Sequence, residues 1–222
     1  VLAFLTEKKL TLAAILVTHH HQDHIGGVTK LMKHFPNVYV YGPIKEAQKV
    51  VTIPLKENDT VFIESLGLSL NVLDVPGHTL GHIAYVDEYS LFCGDTLFAA
   101  GCGRMFEGTP DMFESSLSKL KALPPKTHIY CAHEYTLSNL KFAKAIEPSS
   151  SELDHRIILC QQQRHNNQPT LPSTISQELT TNPFFRLTHT DVVQSLNVKF
   201  DLALSNNHVE NFSWLRQWKD VF

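Results

Sequence analysis

The segment Thr18–His24 places several metal-binding side chains directly after a short apolar run, Leu12–Val17. The run predicts a buried strand whose carboxyl end delivers side chains to a site. Four potential ligands follow it: His19, His21, Asp23 and His24. In an extended segment, His19 and His21 project to the same side and can share one ion, while Asp23 and His24 fall on the turn into the next helix. An exposed polyhistidine turn or a tag remnant is the alternative, but a tag would be terminal and would lack the aspartate, so the spacing predicts a metal site.

Three later segments each end a predicted strand with another ligand-type side chain. His78 follows a Pro-Gly turn, Asp95 follows a Cys-Gly pair, and His133 follows the apolar run Ile129–Cys131. Junctions between a buried strand and a loop are the usual place for sites in layered α/β folds. One such residue alone would more often be a cap or a hydrogen-bonded core residue. Three in series after the histidine segment indicate a shared site.

The chain predicts strands with helices between them up to about residue 148 and a helical remainder. Alternation and bounding turn residues predict strands at Asn37–Tyr41, Asp59–Ile63, Leu68–Val75, Ile83–Val86, Ser90–Cys93 and His128–Cys131. Helical spacing predicts helices at Ile25–Phe35, Pro110–Leu123, Leu137–Ile146, Leu153–His165 and Phe212–Phe222. The segment Ser149–Glu152 resembles a helix N-cap. These patterns predict an α/β fold with a C-terminal all-α domain.

Composition excludes several classes of function. The net charge of −3 lacks the basic excess that binding a phosphate backbone requires, so no nucleic-acid partner is expected. No apolar run reaches the length of a membrane span, and the first ten residues lack the layout of a signal peptide. The four cysteines contain no CxxC pair, and we expect them to be free thiols in a reducing cytoplasm.

The motifs THHHQDH, PGHTLGH, GDTLF and HEYT resemble those of the metallo-β-lactamase superfamily and, within it, of glyoxalase II, the hydroxyacylglutathione hydrolases. The longer stretches GDTLFAAGCGR and NPFFR are similar to features of that family in particular. The resemblance implies an αββα sandwich, with residues 1–148 as the catalytic domain and 149–222 as a helical substrate-binding domain. Family members begin with strands upstream of the segment that resembles Val1–Leu12. We therefore expect the first N-terminal strands of the sheet to be missing here.

The same resemblance implies a dinuclear metal site. One ion would be held by His19, His21 and His78, and the other by Asp23, His24 and His133. Asp95 would bridge both ions, and it forms with Asp23 the implied catalytic pair. Two divalent ions are expected, with zinc first and iron or manganese as alternatives. They would share an activated water whose hydroxide attacks a thioester carbonyl, releasing a thiolate.

The implied substrate is a glutathione thioester, which carries two carboxylates and needs cations and hydrogen-bond donors. By resemblance, Arg104, Tyr135 and Arg186 would contact the glutathionyl group. Phe106 stands where the family often has a tyrosine, and the lysine that some members place shortly after the NPF-Arg motif is replaced within Leu187–His189. His20 is expected to contribute only surface polarity, and His82 is expected to support the turn before it or to contact a metal ligand from behind, so neither is predicted as a ligand.

Three alternatives compete with hydrolysis of S-(2-hydroxyacyl)glutathione, such as S-D-lactoylglutathione. One is another hydrolase of the metallo-β-lactamase fold, which the helical C-terminal region and the near-neutral charge disfavour. A persulfide dioxygenase would share the fold and the first motif but use one iron and oxygen. An inactive metal-binding module would be expected to have lost a ligand, and none of the predicted ligands is substituted. Apart from the substrate, no nucleic acid or membrane partner is predicted, and a monomer is expected.

Overall fold

The secondary structure alternates between short strands and helices up to residue 146 and is mainly helical afterwards. The computed structural model describes residues 1–46, 50–203 and 206–222. The strands are β1 (Ala14–Leu16), β2 (Tyr39–Pro43), β3 (Ile53–Leu55), β4 (Thr60–Ile63), β5 (Leu68–Asp74), β6 (Ile83–Val86), β7 (Ser90–Gly94), β8 (Leu97–Phe98), β9 (Gly101–Cys102), β10 (His128–Cys131) and β11 (Ser173–Thr174). The helices are α1 (Leu2–Lys8), α2 (Gln22–Ile25), α3 (Val28–His34), α4 (Pro110–Lys121), α5 (Thr136–Ile146), α6 (Ser151–His165), α7 (Ile175–Thr181), α8 (Thr190–Phe200) and α9 (His208–Val221).

Two sheets form the centre of the fold. β1, β2 and β3 pair in that order and run parallel. The larger sheet has the order β11-β10-β7-β6-β5-β4, in which β10 and β7 are parallel and the other neighbours are antiparallel. β4 pairs with β5 and β6 pairs with β7, so strands that are consecutive in the sequence lie side by side.

Apolar clusters on both faces of each sheet stack the elements in four layers. Leu70 and Tyr85 of the larger sheet pack with Leu16 of the smaller one. Met32 of α3 covers the other face of the smaller sheet. Helices α4, α5, α8 and α9 cover the other face of the larger sheet, and Phe113 is fully buried at that interface. The predicted αββα sandwich with C-terminal helices is confirmed.

The segment after β1 differs from the single helix predicted over Ile25–Phe35. Helix α2 ends at Ile25, and α3 begins only at Val28. Gly26 and Gly27 separate the two helices, since glycine in a helix costs about 1 kcal/mol relative to alanine. The break leaves Asp23 and His24 on their own short helix next to the end of β1.

The C-terminal region is helical except for β11, which adds to the edge of β10. Helix α6 begins after Ser150, whose side chain accepts a hydrogen bond from the backbone of Leu153, within the N-cap segment that the sequence predicts. Helix α5 packs against α6 and α8. The division of the chain at residue 148 stays a prediction. Among the described residues, no helix is both long enough and apolar enough to cross a membrane.

Candidate metal centre and adjoining cavity

The predicted ligands lie just beyond the ends of four strands. His19 and His21 follow β1, His78 follows β5, Asp95 follows β7, and His133 follows β10. These strand ends meet on one side of the molecule, so residues far apart in sequence come together. Asp23 and His24 reach the same place because α2 begins immediately after the histidine segment.

One group of ligand atoms comes from three histidines. Nitrogen atoms of His19, His21 and His78 all lie within 4.8 Å of one another. The Nδ1 of His78 donates to the backbone oxygen of Arg104 over 2.7 Å. This hydrogen bond fixes the proton on Nδ1 and leaves the lone pair of Nε2, which lies 3.0 Å from Nδ1 of His21, facing the group.

A second group combines a carboxylate with two histidines. Ligand atoms of Asp23, His24 and His133 lie within 4.8 Å of one another. Oδ2 of Asp23 is 3.3 Å from Nε2 of His133 and 3.5 Å from Nε2 of His24. The two groups correspond to the two ligand sets that the resemblance implies.

Asp95 lies between the two groups. Its Oδ1 is 3.2 Å from Nε2 of His24, and its Oδ2 is 3.4 Å from Nε2 of His133 and 3.7 Å from Nε2 of His78. One carboxylate thus reaches histidines of both groups. This is the placement that a bridging ligand requires.

Several of these atoms are buried without a hydrogen-bond partner. Among the described residues, Nε2 of His19, Nε2 of His24 and Oδ1 of Asp95 are in this position, although the last two lie 3.2 Å apart without hydrogen-bond geometry. Leaving a buried polar atom unpaired costs about 1–3 kcal/mol. Coordination of metal ions would satisfy all three atoms, so the side chains at this site fit bound metal ions.

The protonation states of the buried histidines also suit metal binding. Burial lowers the pKa of His19 well below its usual range, and the neighbouring His82 and His24 reinforce the effect. Burial likewise lowers the pKa of His78. Burial opposes the charged form of His24, but the adjacent carboxylate of Asp95 outweighs it and raises the pKa. His19 and His78 are therefore neutral, as metal ligands must be.

His82 lies outside both ligand groups and contacts Asp95. The backbone N–H of Asp95 donates to Nε2 of His82 over 3.1 Å, and Nδ1 of His82 is 3.3 Å from the hydroxyl of Thr96. Burial lowers the pKa of His82 well below its usual value, so the ring is neutral and can accept the bond. His82 thus orients Asp95, in addition to any support of the turn before it.

His20 has a larger role than the surface polarity expected from the sequence. Its Nδ1 lies 2.8 Å from Oε2 of Glu46, and its Nε2 lies 3.3 Å from Oε1 of Glu107. The ring therefore links the ligand segment to two other loops through carboxylates. No local sequence pattern indicates this role, because both partners lie more than twenty residues away.

A cavity of about 410 Å³ adjoins the second ligand group. It is lined by the predicted contacts Arg104 and Tyr135 and also by Arg216 and Lys219 of α9. The ring of Tyr135 stacks on that of His133, with centroids 5.0 Å apart and an interplanar angle of 11°. With Lys141, the cavity therefore combines four cationic side chains with a direct connection to a predicted metal ligand.

Arg186, the third predicted substrate contact, does not line this cavity. Its Nε and terminal nitrogen donate to the carboxylate of Glu147 over 2.9 and 2.7 Å, and it lines a separate cavity with Ser149 and His189. The buried Glu147 is the ion-pair partner of Arg186, and the contact of Arg186 with a substrate stays a prediction.

Arg216 and Lys219 are not among the residues predicted from the sequence. The signal that could have found them is their spacing, since cations three residues apart on a helix lie on the same face. Asp220 completes this face: its Oδ1 lies 3.0 Å from a terminal nitrogen of Arg216 and 3.3 Å from Nε of Arg104.

Phe106 lies over the three-histidine group. Its ring centroid is 5.3 Å from that of His78 and 5.7 Å from that of His21, and the ring is 59% exposed. An apolar, partly exposed side chain thus faces solvent beside the predicted ions. No hydroxyl is available at this position to bind a ligand.

Comparison with known proteins places the chain in a family. A model described as metallo-beta-lactamase superfamily matches residues 2–133, and one described as hydroxyacylglutathione hydrolase C-terminus matches residues 134–222. A hydroxyacylglutathione hydrolase from Shewanella halifaxensis is 47% identical over 99% of this chain and 85% of the relative. The one from Vibrio parahaemolyticus is 49% identical over 100% of this chain and 86% of the relative.

The chain belongs to the hydroxyacylglutathione hydrolase family. This membership makes it a metal-dependent thioester hydrolase of the metallo-β-lactamase superfamily, in agreement with the resemblance of its motifs. The two family models meet between residues 133 and 134, so α5 falls within the C-terminal model. Membership also implies a dinuclear site for divalent metal ions, which the two ligand groups around Asp95 suit.

Solved structures agree with this family assignment at the level of the fold. ETHE1 from Myxococcus xanthus is 22% identical with a TM-score of 0.63, over 98% of this chain and 82% of that one. TTHA1623, solved in a di-iron-bound form, is 25% identical with a TM-score of 0.57, over 82% of each chain. Both comparisons support the layered fold described for this chain.

Proposed function

We propose that this protein hydrolyses S-(2-hydroxyacyl)glutathione thioesters, such as S-D-lactoylglutathione, to glutathione and a 2-hydroxy acid. The observation that carries the proposal is the position of Asp95 between two ligand groups, beside a cavity lined by cations. The relatives named hydroxyacylglutathione hydrolase support the choice of substrate. From the sequence we still predict that the protein is a cytoplasmic monomer without nucleic-acid or membrane partners.

The proposed metal centre uses seven side chains. His19, His21 and His78 would hold one ion, and Asp23, His24 and His133 the other, with Asp95 shared. When bound, the ions supply Lewis acidity and make a water-derived nucleophile available near neutral pH. All donors are nitrogen or oxygen, so the set suits zinc and also iron or manganese. Of these, we propose that zinc is the metal bound.

The remaining residues bind and orient the substrate. The cavity cations Arg104, Lys141, Arg216 and Lys219 exceed the charge of Asp220, which pairs with two of them, and so offer net positive charge to the two carboxylates of the glutathionyl group. Tyr135, half exposed and stacked on His133, directs the thioester end toward Asp95. A thiol has a pKa of about 8.5, so the thiolate is a good leaving group and can depart without a side chain that protonates it.

The test is to measure metal content per chain together with cleavage of S-D-lactoylglutathione. About two ions and metal-dependent turnover are expected. The competing persulfide dioxygenase is examined by following oxygen uptake with glutathione persulfide as substrate. Oxygen consumption without thioester cleavage would overturn the proposal in favour of the dioxygenase.

Binding of the substrate is expected to weaken above about pH 8. Burial, with a contribution from Arg216, lowers the pKa of Lys219 to about 8. A lysine that must be protonated to bind a carboxylate loses this capacity as the pH rises through its pKa. We expect kcat/KM to fall by about tenfold by pH 9 through this group, because kcat/KM reports the free enzyme.

The variant Lys219→Arg is the control for this pH dependence. Its guanidinium stays charged over the whole range, so the fall in kcat/KM near pH 8 should disappear. The measurement is a pH profile of kcat/KM for both proteins in one buffer series. An identical fall in the arginine variant would assign the dependence to another group.

A further inference from the structure

The turn after Asp95 is held by buried side chains of the helical region. This segment, residues 97–104, comprises β8, β9, the two residues between them and the two residues that follow β9. The side-chain amide of Asn182 donates to the backbone oxygens of Phe98 and Gly101 over 3.3 and 3.0 Å. The backbone N–H of Ala100 donates to Oε2 of Glu178 over 2.7 Å. The side chains of Glu178 on α7 and of Asn182 after it thus replace the backbone hydrogen bonds that a longer strand pair would provide.

Two further side chains also form hydrogen bonds with the backbone of this segment. The amide of Asn139 on α5 donates to the backbone oxygen of Ala99 over 3.1 Å. A terminal nitrogen of Arg216 on α9 lies 3.3 Å from the backbone oxygen of Cys102 and 3.4 Å from that of Gly103. Every residue from 98 to 103 therefore has a backbone group bonded to a side chain between residues 139 and 216.

Residues 97–104 connect directly to the predicted metal centre. The N–H of Gly103 donates to the backbone oxygen of Thr96 over 3.2 Å, which closes the segment on the residue next to Asp95. A side chain at position 103 would come within 1.8 Å of the backbone oxygen of Asp95, so the approach is close. The next residue, Arg104, accepts the hydrogen bond that sets the tautomer of His78.

These hydrogen bonds hold a backbone segment in a conformation that is unfavourable for a residue with a side chain. Ala100 has a φ of +57°, and a left-handed conformation costs a residue with a side chain about 1–2 kcal/mol. Glu178, which binds its N–H, and Asn182 are both 0% exposed. Arg156 in turn donates to Glu178 over 2.6 Å. Two buried residues and an ion pair therefore hold a strained turn in place.

We infer that Asn182 and Glu178 are positioning residues for the metal centre, acting through residues 97–104 on Asp95 and His78. In this view the helical region does more than line the substrate cavity, because it fixes two of the predicted ligands before any ion binds. The inference rests on the proposed function, since it assumes that these ligands bind metal.

The variant Asn182→Ala tests the inference through metal affinity. Zinc binding to the metal-free protein is measured by competition with a chromophoric chelator. We expect the dissociation constant of at least one ion to rise by about tenfold to a hundredfold, the range found when residues that orient metal ligands are removed. Hydrogen exchange of the Ala100 amide in the metal-free variant should become faster than in the wild type, independently of activity.

Asn211→Ala is the matched control. Asn211 is also fully buried in the helical region and donates its amide to a backbone oxygen, that of Leu187, over 2.9 Å. Its loss should lower stability but leave zinc affinity and the exchange of Ala100 unchanged. If Asn182→Ala does not fold, Asn139→Ala removes one bond to the same segment and is measured in the same way.

The outcomes separate this inference from the proposed function. If the wild type binds two zinc ions and the variant binds them equally well, the positioning role is overturned and the proposed function stands. Equal losses in the Asn182 and Asn211 variants would overturn it too, since they would show a general effect on stability. If the wild type binds no zinc, the proposed function itself fails.

Discussion

Replacement of Asp95 by alanine should lower kcat/KM by at least about a thousandfold and leave the protein with less than its full complement of metal. Its carboxylate reaches histidines of both ligand groups, so the substitution removes the one side chain that the two ions would share. Lewis-acid stabilisation is worth several kcal/mol, and each 1.36 kcal/mol is tenfold in rate. The measurement combines steady-state hydrolysis of S-D-lactoylglutathione with metal analysis.

The control is Asp111→Ala, which removes an exposed carboxylate in the first turn of α4. A carboxylate there contributes about 0.3–1 kcal/mol to the helix, and neither metal content nor turnover should change. If Asp95→Ala kept both its metal and its activity, a mechanism centred on a shared carboxylate would be wrong. Loss of activity with full metal content would restrict Asp95 to a role in the reaction after the ions bind.

Replacement of Arg156 by methionine should reduce the free energy of unfolding by about 3–5 kcal/mol. Arg156 and Glu178 form an ion pair whose side chains are only 3% and 0% exposed. Methionine retains much of the volume but leaves the carboxylate of Glu178 buried without its counterion. Breaking a buried pair from one side is costly because the remaining charge has lost both water and partner.

Urea unfolding with a chelator present measures this effect, since bound metal would add its own stabilisation. The comparison variant is Asp154→Asn, which breaks the pair of Asp154 with Lys144, whose side chains are 57% and 28% exposed. Exposed pairs contribute up to about 1 kcal/mol. Similar losses in the two variants would mean that burial of the Arg156 pair has no energetic consequence.

The convergence of the predicted ligands could be anticipated from the sequence because each one is marked locally. A buried apolar run followed by His19 or Asp95 identifies a strand end; the ends of β5, β7 and β10 lie at one edge of the larger sheet, and the end of β1 in the smaller sheet lies beside them. The break between α2 and α3 was not foreseen because the apolar spacing continues across Gly26 and Gly27. Periodicity alone does not show where glycine interrupts a helix.

The substrate cavity was less predictable because its walls come from distant parts of the chain. Arg216 lies more than a hundred residues from Arg104 in sequence, yet both pair with Asp220. No local pattern distinguishes such a cation from Arg186, which forms an ion pair with Glu147 instead. Only tertiary packing decides which arginine faces the cavity and which is neutralised inside the helical region.

The pairing of β11 with β10 links the end of the sheet to a late part of the chain. During synthesis, the outer edge of His128–Cys131 has no strand beside it until Ser173 and Thr174 have left the ribosome. An uncovered strand edge is a template for pairing with other chains, and domains form in the order of their synthesis. The short strand β11 therefore protects the nascent protein from aggregation only once most of the helical region has been translated.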